Sequence, residues 1–174
     1  MKRTFDIVFS ILGLLFLLPF FLIISIAILF DSRGGVFYRQ MRVGRNNVDF
    51  RLWKFRTMHT NADKKGLLTV GNNDTRITRS GKFLRRTKMD ELPQLWNVLK
   101  GDMSFVGPRP EVRKYVDLYT PDQLKVLNLR PGITDYASIE YRNENEILAK
   151  TLTPEETYIK EVMPAKLKLN FKYI

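Results

Sequence analysis

The sequence predicts an α+β protein with a membrane-entering N-terminus and a small, mainly helical globular part carrying short strands. Three observations lead there. An apolar run occupies Ile7 to Phe30, two stretches between Val36 and Arg56 alternate aromatic and polar residues, and helical spacing dominates the rest. At 174 residues the chain has one domain's worth of length, and 44% hydrophobic content supports a core. The expected division is a membrane segment over residues 1–32 and one integrated globular unit over 33–174.

The apolar run is interrupted only by Ser10, Gly13, Pro19 and Ser25. It is apolar on every face, so it should enter hydrocarbon rather than lie on a surface. It also exceeds the roughly 20 residues needed to span a bilayer. A cleavable signal is disfavoured, because Asp31-Ser32-Arg33-Gly34-Gly35 follows in place of a small-residue cleavage site. Cations flank both ends: Lys2 and Arg3 before it, Arg33, Arg39, Arg42 and Arg45 after it. The positive-inside rule leaves one end of an ordinary span poor in Lys and Arg. Together with a helix break at Pro19, these flanks favour a re-entrant helical hairpin; a kinked span with a short external tail is the alternative.

Next, Val36-Phe37-Tyr38 and Phe50 to Arg56 read as strands joined through Gly44-Arg45-Asn46-Asn47. Thr57 to Thr75 is polar and rich in Gly, Asn and Asp, and reads as a loop. A helix should begin near Ser80 and lead into Asp90-Glu91, followed by Pro93 and the periodic Leu92, Leu95, Trp96 and Leu99. Pro93 suits a first helical turn, which puts the acid pair at a helix N-terminus. Beyond Gly107-Pro108-Arg109-Pro110, a helix is expected over Glu111–Tyr119 and a short one up to Leu127. Arg130 to Thr134 should be a turn entering an extended piece through Ile139, and a last helix from Thr153 should be broken by Pro164. The alternating basic and apolar tail from Lys166 suggests an interfacial edge.

Net charge of +11 points to polyanionic partners such as nucleic acid, anionic lipid or phosphorylated substrates. Absence of cysteine excludes thiol catalysis and disulfides, and the lone His59 excludes a histidine-rich metal site. If the protein is an enzyme, its chemistry therefore falls to carboxylates, with or without a metal. Asp90 and Glu91 beside Arg85, Arg86, Lys88 and Arg109 suit a magnesium ion and a substrate phosphate; the plainer reading is a capping acid among solvated cations. A nucleic-acid module would need a continuous basic face, whereas these cations surround carboxylates. A lipid-binding scaffold would explain the charge but not an acid pair beside a stiff GPRP loop.

DELPQLWNVLKGDMSFVGPRPE (Asp90–Glu111), preceded by KFRTM (Lys54–Met58) and followed by RPGIT (Arg130–Thr134), resembles the bacterial sugar transferase family of small monotopic phosphoglycosyl transferases. The resemblance covers nearly the whole chain. It implies a re-entrant helix broken at Pro19, and catalysis on the cytoplasmic side of a bacterial inner membrane. It further implies transfer of a sugar-1-phosphate from a UDP-sugar to polyprenyl phosphate. On that pattern Asp90 is the nucleophile and contacts Mg2+, Glu91 assists, and Arg85, Arg109 and Arg142 hold phosphate. Anionic membrane lipid is the other implied partner, no nucleic acid is expected, and oligomeric state is left open, a homodimer included. The chain departs from the pattern at Leu18, where serine is frequent before the kink proline. It departs again at Asp135-Tyr136, in place of glycine-tryptophan, and at Ser138, in place of glutamine.

Overall fold

The computed structural model describes residues 1–62 and 74–173, so residues 63–73 of the expected polar loop lie outside it. The mixed α+β class is confirmed: among the described residues are a long apolar helix, a mostly helical body and four short strands. The described residues fall into two compact units, 1–40 with 51–62 and 74–101, and 41–50 with 102–173.

In the first unit, α1 (Lys2–Asp31) is helical throughout, Pro19 included. Asp6, Ser10, Ile24 and Ile28 are its buried residues, and the remaining positions leave large side chains such as Phe16 (74% exposed) and Phe30 (89%) uncovered. The spacing of the buried set is helical, so α1 turns one narrow stripe to protein and the rest outward. Strands β1 (Phe37–Val43) and β2 (Asp49–Phe55) form a two-stranded sheet, as the alternation predicts; residues 37–40 and 51–55 of it belong to this unit, and the 3-10 turn between the strands, Arg45–Asn47, belongs to the second. Asn46 and Asn47 take the left-handed conformation there, which asparagine tolerates well.

Helix α2 (Arg79–Thr87) begins where expected, with the Thr78 hydroxyl accepting from the Gly81 N–H. A Cβ at Gly81 would sit 2.1 Å from the Thr57 carbonyl oxygen, so glycine lets α2 press against that backbone. Met89–Glu91 forms a separate 3-10 turn, and α3 (Gln94–Lys100) starts only after Pro93, which serves as its N-cap. Ile24, Ile28, Phe55 and Leu84 form this unit's core, with Phe21, Val36, Met89 and Leu92 packed against it. Asn97, fully buried, accepts from the Trp53 N–H and donates to the Arg51 carbonyl, satisfying the edge of β2.

In the second unit, β3 (Ser104–Val106) pairs in parallel with β4 (Gly132–Thr134). The strands approach so closely at Gly107 and Gly132 that a Cβ on either would meet backbone at 2.4 Å or less. Helix α4 (Arg113–Val116) is one turn where nine residues were expected, and Gln123–Asn128 is 3-10. The turn expected over Arg130–Thr134 contains strand β4, and the extended piece expected beyond it through Ile139 is helical instead. There the Asp135 carboxylate accepts from the Ser138 N–H and turns the chain into α5 (Tyr136–Glu140). Helix α6 (Glu144–Ala149) and α7 (Pro154–Thr157) follow. Pro164 does not break the last helix: a π-helical turn over Tyr158–Val162 shifts the hydrogen-bond register, and Pro164 enters the first turn of α8 (Met163–Phe171). The tail is accordingly helical, burying Leu167 and Asn170. Leu148, Tyr158, Val162, Met163 and Leu167 make the core with Val112, Tyr115 and Val126.

Candidate active site

The acid pair sits in the first unit. Lys88 takes a left-handed conformation (φ 59°) at the end of α2, which swings the chain into the Met89–Glu91 turn. Asp90 is thereby buried to 7% exposure, and its Oδ1 has no hydrogen-bond partner. Buried acceptors are normally satisfied, so an orphaned carboxylate oxygen has a cost and calls for an explanation. Burial holds the Asp90 carboxyl above the usual aspartate range; Lys54 opposes this, and Glu91 adds to the rise.

Glu91 takes the other half of the local charge. Its Oε1 lies 2.9 Å from Lys54 Nζ, and both side chains are largely buried. Alternation along β2 turns Lys54 to the face opposite Trp53 and Phe55. Arg85, on the last turn of α2, donates from Nε to the Thr57 hydroxyl at 2.9 Å. Its guanidinium is pushed below its ordinary value by burial, with Asp90, Asp74 and Glu91 opposing that shift. The first unit therefore assembles Lys54, Thr57, Arg85, Asp90 and Glu91. The Thr57 hydroxyl draws the Arg85 side chain in towards the acid pair.

Arg109 and Arg142 belong to the second unit. The Arg109 backbone N–H donates to Asp135 Oδ2 at 2.9 Å, and its guanidinium reaches the Ile133 carbonyl at 3.4 Å. One carboxylate thus fixes the GPRP loop through one oxygen and caps α5 through the other. Arg142 lies exposed in the turn after α5. Replacing Arg109 by lysine keeps the charge but loses the planar fork. The expected result is about a tenfold or greater loss of turnover with unchanged membrane retention; wild-type kinetics would make Arg109 a structural residue.

No group of three metal-ligating side chains occurs among the described residues. Magnesium often takes only one or two carboxylates and completes its shell with water and substrate phosphate. The orphaned Asp90 oxygen fits that role; Glu91 is engaged by Lys54.

Comparison with known proteins matches the whole chain, residues 1–174, to the family described as bacterial sugar transferase. The chain belongs to that family. A provisionally named undecaprenyl-phosphate N-acetylgalactosaminyl 1-phosphate transferase of Bacillus subtilis (strain 168) is 49% identical over 133 residues, 76% of this chain and 70% of that protein. The UDP-N-acetylgalactosamine-undecaprenyl-phosphate N-acetylgalactosaminephosphotransferase of Aeromonas hydrophila is 41% identical over 141 residues, 79% of this chain and 33% of the relative. The UDP-glucose:undecaprenyl-phosphate glucose-1-phosphate transferase of Escherichia coli (strain K12) is 41% identical over 155 residues, 86% of this chain and 33% of the relative. This sugar transferase chain thus spans a third of the length of the latter two relatives.

Two residues of the assembled site escape a reading of the acid motif alone. Lys54 and Thr57 both lie in KFRTM, and the charge of Lys54 between the aromatic Trp53 and Phe55 was the available signal.

Proposed function

We propose that this sugar transferase moves a sugar-1-phosphate from a UDP-sugar to undecaprenyl phosphate, releases UMP, and passes through a phosphosugar bonded to Asp90. The observation that carries this reading is the buried Asp90 oxygen without a partner, beside Lys54 and Arg85. In the first half-reaction an Asp90 carboxylate oxygen attacks the sugar-bearing phosphorus. The bond from that phosphorus to the bridging oxygen breaks, and UMP leaves with the electron pair. In the second, a phosphate oxygen of the lipid attacks the same phosphorus and returns Asp90 as a carboxylate.

The chain's own contribution is mainly positioning and charge. Lys54 holds Glu91 and favours the ionised form of Asp90, while Arg85, fixed by Thr57, adds positive charge beside the phosphate position. Asp90 would hold magnesium, which would supply neutralisation of the diphosphate oxygens. Arg109 and Arg142 are the remaining proposed phosphate holders. The test is UMP release from a panel of UDP-sugars with undecaprenyl phosphate, with and without EDTA. One donor should release UMP in a magnesium-dependent way; silence across the panel would overturn the activity.

The finer membrane reading is a re-entrant α1 in the bacterial inner membrane, with catalysis on the cytoplasmic side. It is supported by contacts at both ends of α1 within one unit. The Arg3 guanidinium donates to the Val98 and Leu99 carbonyls, the latter at 2.7 Å. At the other end Asp31 Oδ2 accepts from the Ser80 N–H and hydroxyl. A perpendicular span would draw the polar groups packed along its stripe into hydrocarbon. Single cysteines placed at Lys2 and at Gly35 should therefore both resist an impermeant reagent outside intact cells, and Pro19→Leu should favour a spanning form. Labelling of the Lys2 position alone in the unaltered helix would establish a span.

A further inference from the structure

A second apolar face reaches the level at which α1 ends. Alternation puts Phe37 and Arg39 on one side of β1, and Arg51, Trp53 and Phe55 on the matching side of β2. The rings form a chain. Phe21 of α1 meets Phe55 edge-on at 5.1 Å, Phe55 stacks on Phe37 at 5.3 Å, and Phe37 meets Trp53 edge-on at 5.6 Å. The Arg39 guanidinium lies 5.1 Å above the Trp53 ring. Phe55 is 1% exposed and Phe37 43%, so the chain starts in the core and emerges at the surface. Arg39 and Arg51 are exposed beside it.

The height of this face is fixed by Arg56. Its guanidinium donates to the Ser32 and Arg33 carbonyls, and its backbone N–H donates to the Val36 carbonyl. This end of the sheet is therefore tied to the residues that follow α1, where exposed Phe30 gives way to Asp31, Ser32 and Arg33. An apolar helix leaves hydrocarbon where its apolar run stops. Trp collects at that level, and arginine there lays its carbon stem along apolar groups while its head reaches phosphate.

We propose that Phe37, Arg39, Arg51 and Trp53 form a second membrane contact, seated in the headgroup layer of an anionic leaflet with both guanidinium groups on lipid phosphates. The proposal rests on the reading of α1 as a membrane segment. Its continuity with α1 through Phe21 and Phe55, and its positive charge, select lipid as the occupant. A single inserted helix leaves the body free to rotate about it, and a second contact removes that freedom. Lys54, between Trp53 and Phe55 but on the opposite face, holds Glu91. The strand that rests on the lipid thus also sets the height of the acid pair above the headgroups, where a lipid phosphate acceptor lies.

The chain has two tryptophans, Trp53 and Trp96, so W96F leaves Trp53 as sole reporter. The full chain is reconstituted in bilayers containing phosphatidylglycerol, with a nitroxide on the headgroup or deep in the acyl chain. Trp53 emission should be quenched severalfold more by the headgroup nitroxide than by the deep one, and be shielded from aqueous iodide. R39Q with R51Q should restore iodide quenching. Free iodide access with no nitroxide effect would overturn the proposal. Shielding from iodide without nitroxide quenching would mean that protein covers the face, and would overturn it too. If W96F fails to fold, the difference between the unaltered chain and W53F gives the same quantity. Retention of the chain in carbonate-washed membranes separates failure here from failure of the α1 reading.

Discussion

Asp90→Asn is expected to lower UMP release by about 10⁴-fold or more, on the scale seen when a covalent nucleophile is lost, and yet to raise the melting temperature of the metal-free protein. The first half follows from the chemistry. Asparagine keeps the shape but neither attacks phosphorus nor binds a hard cation. Intact-protein mass spectrometry after mixing enzyme, magnesium and UDP-sugar without lipid should find a sugar-phosphate adduct on the peptide holding Asp90. Asp90→Asn should show none, and Glu91→Gln should retain some. No adduct from a confirmed donor, with kinetics that require both substrates bound together, would remove Asp90 as nucleophile.

The second half follows from burial. The folded-state pKa of Asp90 is raised, chiefly by desolvation, so folding favours the protonated form over the ionised one. At neutral pH the ionised carboxylate therefore destabilises the fold. That cost is relieved as pH falls through the raised folded pKa towards the unfolded value. Asparagine has no such charge. Its advantage in melting temperature should be largest near neutral pH in EDTA, shrink on acidification, and shrink on adding magnesium to the unaltered protein. A variant less stable than the unaltered chain at neutral pH would mean that the Asp90 carboxylate is satisfied in solution.

Local signals carried further in this sequence than long-range ones. The alternation of Phe50 to Arg56 and the asparagines at its turn predict the sheet, and Thr78 caps α2 as capping chemistry dictates. The acid pair is visible in sequence, but its placement in its own 3-10 turn depends on Lys88 adopting a left-handed conformation, which lysine does not advertise. Asp135 reads as part of an extended piece, because nothing local shows that its carboxylate will serve both the Ser138 and Arg109 N–H groups. Pro164 reads as a breaker until the π turn before it makes room. Lys54 meets Glu91 across 37 positions and Arg3 meets Val98 across 95; periodicity is blind to pairs so far apart.

Arg56→Leu is expected to destabilise the protein by about 3 kcal/mol, through carbonyls left without donors and a poorly filled site. Arg56 is 7% exposed and gathers the end of α1: its Nη2 donates to the Ser32 carbonyl at 2.8 Å and reaches those of Ile28 and Gly34 at 3.5 Å, while Nη1 donates to Arg33. The Ser32, Arg33 and Gly34 carbonyls follow the last helical residue, Asp31, where the helix offers no further donors, and on the membrane reading of α1 these residues must also leave the membrane. One planar guanidinium serves both needs. Lysine offers a single ammonium in place of the fork, so Arg56→Lys should recover only part of the loss. Arg86→Leu, at an exposed position on α2, should change stability by no more than about 0.5 kcal/mol. Thermal melts in mild detergent compare the three, with carbonate extraction reporting whether α1 stays inserted. Near-native stability of Arg56→Leu would show that solvent or lipid headgroups satisfy those carbonyls, and that the exit of α1 needs no internal clamp.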